Sequence, residues 1–246
     1  MLNQFDTDLP KRKPLSTGQV IGFAILIFTL FTFIQVLVLI GLSVIQSLKG
    51  TSLSIEAIAG SGFYIALATI LGGVVGTTLI ILIVRYFQGR SCAEYLGLTR
   101  ISLKQLGFWI LSGAIYLVLM DICTYLLRRP IVPEFMNKVI VTAKFPWLLY
   151  FAFIIAAPVF EELFFRGFLY KGLCHSRLKP IGAIILTSLC WSFLHMQYDW
   201  YGVLQIFLGG LLFGYARYKS GSVYVPVAMH ALQNLVATIE ATVIAS

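Results

Sequence analysis

Residues 20–45 read VIGFAILIFTLFTFIQVLVLIGLSVI, without a charged side chain. A bilayer core about 30 Å thick takes about 20 apolar residues per spanning helix, so this run is long enough to cross. The polar stretch before it, Met1 to Pro14, carries Lys11, Arg12 and Lys13, as a signal peptide would. The apolar run is too long for a signal core, however, and no small-residue cleavage pattern follows it. It reads as a retained first membrane helix.

Six further runs have the same character: about 62–86, 106–127, 146–170, 181–198, 201–218 and 223–244. The chain of 246 residues is 59% hydrophobic and 11% charged, whereas a soluble domain carries about 25% charged residues. Only in lipid can such a surface go uncovered, and there the backbone must satisfy its own hydrogen bonds. No β-barrel alternation and no internal repeat is visible. The expected fold is all-α: a polytopic transmembrane helix bundle of about seven spans, or eight if the segment near 128–145 holds another. Residues 88–104 read as an interfacial loop or short amphipathic helix. Residues 128–145, with two prolines and both charge signs, read as a connecting loop.

The formal charge of +8 falls between the apolar runs, so it points to topology and anionic lipid and away from nucleic acid. With seven spans, thirteen Lys and Arg residues lie on the N-terminal side. Five lie opposite: Lys49, Arg128, Arg129, Lys138 and Lys144. The expected orientation is N-inside and C-outside, with the Arg128–Arg129 pair on the wrong side. Cys92, Cys123, Cys174 and Cys190 form no paired spacing and suggest neither a disulfide framework nor a zinc ribbon.

Ionisable residues inside membrane helices are functional hypotheses by default. Glu161, Glu162, Asp121 and Glu240 fall within apolar runs, as do His195 and His230. The densest cluster is Phe160-Glu161-Glu162-Leu163-Phe164-Phe165-Arg166. Residues four apart share a helix face, so Glu162 and Arg166 are placed to pair. Glu161 points elsewhere and is free to face a cavity as a general base. The alternative is that both glutamates pair with basic residues and hold helices together. Next comes Trp191-Ser-Phe-Leu-His195, where a lone histidine is by itself more often a core residue. Last comes His230-Ala-Leu-Gln-Asn234, whose two polar residues share a face. They suit either one developing oxyanion or a polar interhelical contact. Pro226, four residues earlier, is placed to kink that helix and open a polar cavity. A carboxylate and a histidine can activate water, and a His/Asn pair can hold an oxyanion. Together they form a complete hydrolytic set for an amide bond.

The ordered trio EExxxR, aromatic-xxx-His and HxxxN resembles the CAAX prenyl endopeptidase type II and bacteriocin-processing (CPBP, Abi) family of intramembrane proteases. The resemblance covers about residues 146–245. It implies that Glu161 and His195 activate the attacking water, that His230 and Asn234 form the oxyanion hole, and that Glu162 and Arg166 support the site. It also implies a division into an N-terminal cytoplasmic tail (1–19), accessory helices with polar loops (20–145) and a catalytic-type core (146–246). The family usually has Phe where this chain has Trp191, a change expected to bear on substrate fit. Although the family is often called metalloprotease, a metal-free glutamate mechanism also fits it. No cofactor is required on that reading. If zinc binds, Glu161, His195 and His230 are the three ligands.

The expected partners are the lipid bilayer and a hydrophobic peptide or membrane-protein substrate, in a bacterial plasma membrane. Straight helices leave one difficulty. At 1.5 Å per residue, Glu161 lies roughly 22 Å into its span from one side, and His195 roughly 21 Å into its span from the other. Other intramembrane protease types fit less well. Ala59-Gly60-Ser61-Gly62 lacks the first glycine of a GxSG site, and Asp121 stands alone. The competing readings are a non-enzymatic membrane chaperone or transport component, and a proton-coupled transporter using Glu161.

Overall fold

The computed structural model describes residues 15–51, 53–87 and 91–245. The tail Met1 to Pro14, with Lys11, Arg12 and Lys13, lies outside the described residues, as do residues 88–90 of the polar stretch 88–104. The described residues form helices and no strands, which is the expected all-α bundle.

The first span, α1 (Thr17–Leu48), starts at Ser16, whose side chain accepts from the Gln19 backbone while Gln19 reaches back to the Ser16 N–H. This reciprocal cap satisfies two donors that a helix start leaves open. A one-turn helix, α2 (Ile55–Ala59), leads into α3 (Gly62–Phe87), which returns along α1. After α4 (Cys92–Leu96), α5 (Leu103–Leu126) crosses again from a Ser102 cap. Then follow α6 (Glu134–Val141), the long α7 (Pro146–Leu173), α8 (Lys179–Phe193), α9 (Trp200–Ser220) and α10 (Tyr224–Ala245). Helix α7 is central: it packs against α1, α3, α8, α9 and α10. Outward side chains such as Ile25, Phe33, Val74 and Leu111 stay more than half exposed, as lipid-facing positions do.

Against the seven expected spans, five helices among the described residues are long and apolar enough to cross a membrane: α1, α3, α5, α7 and α10. Helix α8 has only 15 residues, about 22 Å at 1.5 Å per residue. It stops at Phe193, although the apolar reading continued to 198. Helix α9 has 21 residues but is not among the five. Residues 128–145 hold only the eight-residue α6, so no eighth span forms there. Within 88–104, α4 is a short helix with Ala93 and Glu94 exposed and Tyr95 and Leu96 buried, and the Leu96 carbonyl accepts from Arg217 Nη2 at 3.5 Å. Arg129, on the wrong side by charge counting, pairs with Asp199 and lies 4.9 Å over the rings of Trp200 and Tyr201. The loops after α5 and α8 therefore share one end of the bundle, as alternating spans require.

Helix α3 approaches α7 closely at Gly76. A Cβ there would lie 2.3 Å from Phe160 Cε2. Phe160 cannot swing away, because its ring stacks between Phe31 and Phe164. We therefore expect Gly76→Val to destabilise the fold by about 1–3 kcal/mol, the usual cost of overpacking. A thermal melt in detergent showing an unchanged midpoint would contradict this contact.

Candidate active site

The site begins with two irregular turns in α7. Residues Ala152–Ala156 and Leu163–Leu169 are π-helical, on either side of Ala157–Glu162. Such turns are rare and recur at functional sites. The first contains the Phe153 carbonyl, which accepts from Asn234 Nδ2 at 2.8 Å. The second follows the two glutamates directly and carries Arg166.

Glu162 and Arg166 pair as their spacing predicts, Nη1 to Oε1 at 2.9 Å, and both side chains are fully buried. The same Glu162 oxygen lies 3.0 Å from His230 Nδ1. Arg166 Nη2 also donates to the Gly210 carbonyl at 3.1 Å. The guanidinium carbon sits 4.6 Å from the Trp191 ring centroid, within cation–π range. Gly210 leaves room for this stack: a Cβ there would lie 3.1 Å from Trp191 Cε3 and 3.2 Å from Arg166 Nη2.

Glu161 points away from that pair, as expected, and has a partner of its own. Its Oε2 accepts from the Trp191 indole Nε1 at 2.5 Å. His195 is not inside a span. It lies in the turn beyond the C-terminus of α8, with Nδ1 2.8 Å from the Trp191 carbonyl. Helix α8 ends before His195, so the straight-helix depth does not apply to it, and Trp191 in the last turn of α8 meets Glu161. Irregular backbone is tolerated at membrane depth where it lines a cavity, and His195, Gln197 and Tyr198 do so. Pro226 does not kink α10. It occupies the first turn, where the missing N–H costs little.

Hydrogen-bond chemistry fixes the two imidazoles. A carbonyl only accepts, so His195 Nδ1 must donate; Glu162 Oε1, which already accepts from Arg166 Nη1, is an acceptor for His230 Nδ1 as well. In each neutral ring the remaining acceptor is Nε2. His230 can therefore offer a second N–H only as an imidazolium, beside the Glu162 carboxylate.

Glu161, His195, His230 and Asn234 all line one cavity of about 420 Å³. Phe31, Phe160, Phe164, Phe165 and Trp191 give it an aromatic wall. Glu162 and Arg166 stand behind that wall. Asp121 is not alone: it lines the cavity together with Glu240. The sequence offers both as intramembrane carboxylates, Asp121 as a residue capping a helix contact and Glu240 without a role. Trp191 is expected from the sequence to bear on substrate fit, and no spacing rule links it to Glu161. Among the described residues, no three His, Cys, Asp or Glu side chains group to hold a metal ion. Of the three residues considered for zinc, Glu161, His195 and His230, one nitrogen or oxygen of each is hydrogen-bonded within the chain.

A membrane-embedded helix bundle enclosing a carboxylate, two histidines and an asparagine defines the class: an integral membrane protein with a polar, hydrolase-like cavity. Residues 143–236 match the family described as type II CAAX prenyl endopeptidase Rce1-like, so the resemblance carried by the three motifs holds over that segment. All six singled-out residues fall inside it. The chain is also 38% identical over 52 residues to UPF0177 protein YbdI of Lactococcus lactis subsp. lactis (strain IL1403), covering 19% of this chain and 29% of that protein. It thus spans less than a third of that relative's length. No solved structure matches.

Proposed function

We propose that this protein is an intramembrane endopeptidase that hydrolyses peptide bonds of membrane-associated or hydrophobic peptides. The convergence of Glu161, His195, His230 and Asn234 on one aromatic-walled cavity carries this reading. The Rce1-like match over 143–236 supports it. The proposed setting is a bacterial plasma membrane.

Water held between Glu161 and the Nε2 of His195 gives a proton to the Glu161 carboxylate as its oxygen attacks the substrate carbonyl carbon. The resulting oxyanion is received by His230 and Asn234. Asn234 Nδ2 carries two hydrogens; one serves the Phe153 carbonyl and the other remains for the oxyanion. His230 donates through Nε2 as an imidazolium, with Glu162 as its counter-charge. The proton taken from water passes to the leaving nitrogen as the C–N bond breaks. Glu162 and Arg166 hold His230 from behind the cavity wall. No step runs through a metal ion, and none is obligatory on this reading.

Removing one oxyanion donor typically costs about 10²–10³ in kcat. We expect that loss for Asn234→Ala, with KM little changed, on any membrane peptide the wild type cleaves. We further expect cleavage to persist in a strong chelator. Full activity in Asn234→Ala removes it from the oxyanion site, and activity abolished by chelator and restored by zinc overturns the metal-free mechanism.

A further inference from the structure

Trp191 touches more of the site than any single motif residue, and no role in the reaction has yet fallen to it. It is fully buried, at 1% exposure. Its indole Nε1 donates to Glu161 Oε2 at 2.5 Å. Its backbone carbonyl accepts from His195 Nδ1 at 2.8 Å. Its ring lies 4.6 Å from the Arg166 guanidinium carbon and 5.1 Å, centroid to centroid, from the His230 imidazole.

We propose that Trp191 is a positioning residue that sets the general base: its indole N–H fixes one oxygen of Glu161 so that the other faces the water to be activated. An indole nitrogen donates and never accepts, so this contact has one polarity. It requires the acceptor form of the carboxylate oxygen it touches. A glutamate side chain turns about three torsions, and a charge-assisted hydrogen bond from a buried, immobile ring removes that freedom. The ring cannot tilt to follow a wandering carboxylate, because Arg166 stacks on it and Phe213 packs 5.8 Å away. The same residue orients His195 through its main chain. One side chain and its carbonyl therefore set both groups of the proposed water-activating pair, across the junction of α7 and α8. The kinetic consequence rests on the peptidase reading; the hydrogen bond itself does not.

The test uses the full chain in nanodiscs and has two readouts. Selective ¹⁵N labelling of the indole groups reports Trp109, Trp147, Trp191 and Trp200, and Trp109→Phe, Trp147→Phe and Trp200→Phe, made singly, assign the other three and so leave the Trp191 resonance identified. Glu161→Gln, made with Trp191 intact, is expected to shift that resonance upfield and leave the other three in place. An unmoved Trp191 resonance overturns the hydrogen bond, even if Trp191→Phe fails to fold. The second readout is kinetic. Trp191→Phe keeps a ring over Arg166 and removes the N–H, so kcat is expected to fall about 10–100-fold with KM changed less than about twofold, as for a misplaced catalytic group. An unchanged kcat, or a loss confined to KM, overturns the positioning role. If the wild type cleaves nothing while the resonance shifts as expected, the peptidase reading fails and takes the kinetic role with it, and the hydrogen bond stands.

Discussion

Arg166→Ala should be the most destabilising single substitution in this chain, lowering stability by about 3–5 kcal/mol. The side chain is fully buried and pairs with Oε1 of the equally buried Glu162 carboxylate. Removing it strands that charge and the Gly210 carbonyl, and empties the space under the Trp191 ring. His230 cannot replace it, because its Nδ1 is already on the same Glu162 oxygen. If the loss comes from the stranded charge, neutralising both partners should recover much of it. We therefore expect the double variant Glu162→Gln/Arg166→Met to melt closer to the wild type than Arg166→Ala does. Denaturant titration in detergent micelles checks both. An Arg166→Ala protein as stable as the wild type would show that the pair is not the structural centre of α7.

The adjacent carboxylates should fail in opposite ways. Glu161→Gln is expected to melt like the wild type, since Glu161 lines the cavity and its neutral amide still accepts from the Trp191 indole. Its chemistry should fall steeply: losing the general base alone typically costs about 10²–10⁴ in rate. Glu162→Gln should lose stability first, by weakening the bonds to Arg166 and His230 together. Its activity should fall only as far as His230 loosens. Paired measurement of melting temperature and kcat for the two variants separates these roles. A Glu162 variant that stays stable but inactive, beside an active Glu161 variant, would exchange their assignments.

Much of this was legible in the residues. Apolar runs located the long helices, and the i,i+4 rule paired Glu162 with Arg166 and set Glu161 apart. The three motifs located Glu161, His195, His230 and Asn234, which now line one cavity, though not the other polar residues around it, such as Asp121, Gln205 and Glu240. What stayed hidden depends on contacts between segments far apart in the chain. Nothing in Leu194-His195-Met196-Gln197-Tyr198 breaks a helix by composition, so the early end of α8 was invisible. It ends there because the His195 ring takes the Trp191 carbonyl, a cap made by a side chain. The Trp191–Glu161 bond joins residues thirty apart, a separation that carries no periodic signal. The π turns of α7 also escaped, since Leu163–Leu169 contains no proline and only Gly167 as an irregular residue. The pairing of Arg129 with Asp199 escaped for the same reason as the Trp191–Glu161 bond: the two residues lie seventy apart in the chain.

The central claim is that Glu161 activates water for peptide-bond hydrolysis within the membrane. The most direct measurement reconstitutes wild-type and Glu161→Ala protein in liposomes, matches them by thermal melt, and follows cleavage of a library of membrane-spanning peptides by mass spectrometry. The account predicts defined cleavage products from the wild type and none from the variant at equal stability. Cleavage at the same bonds by the Glu161→Ala protein would contradict it.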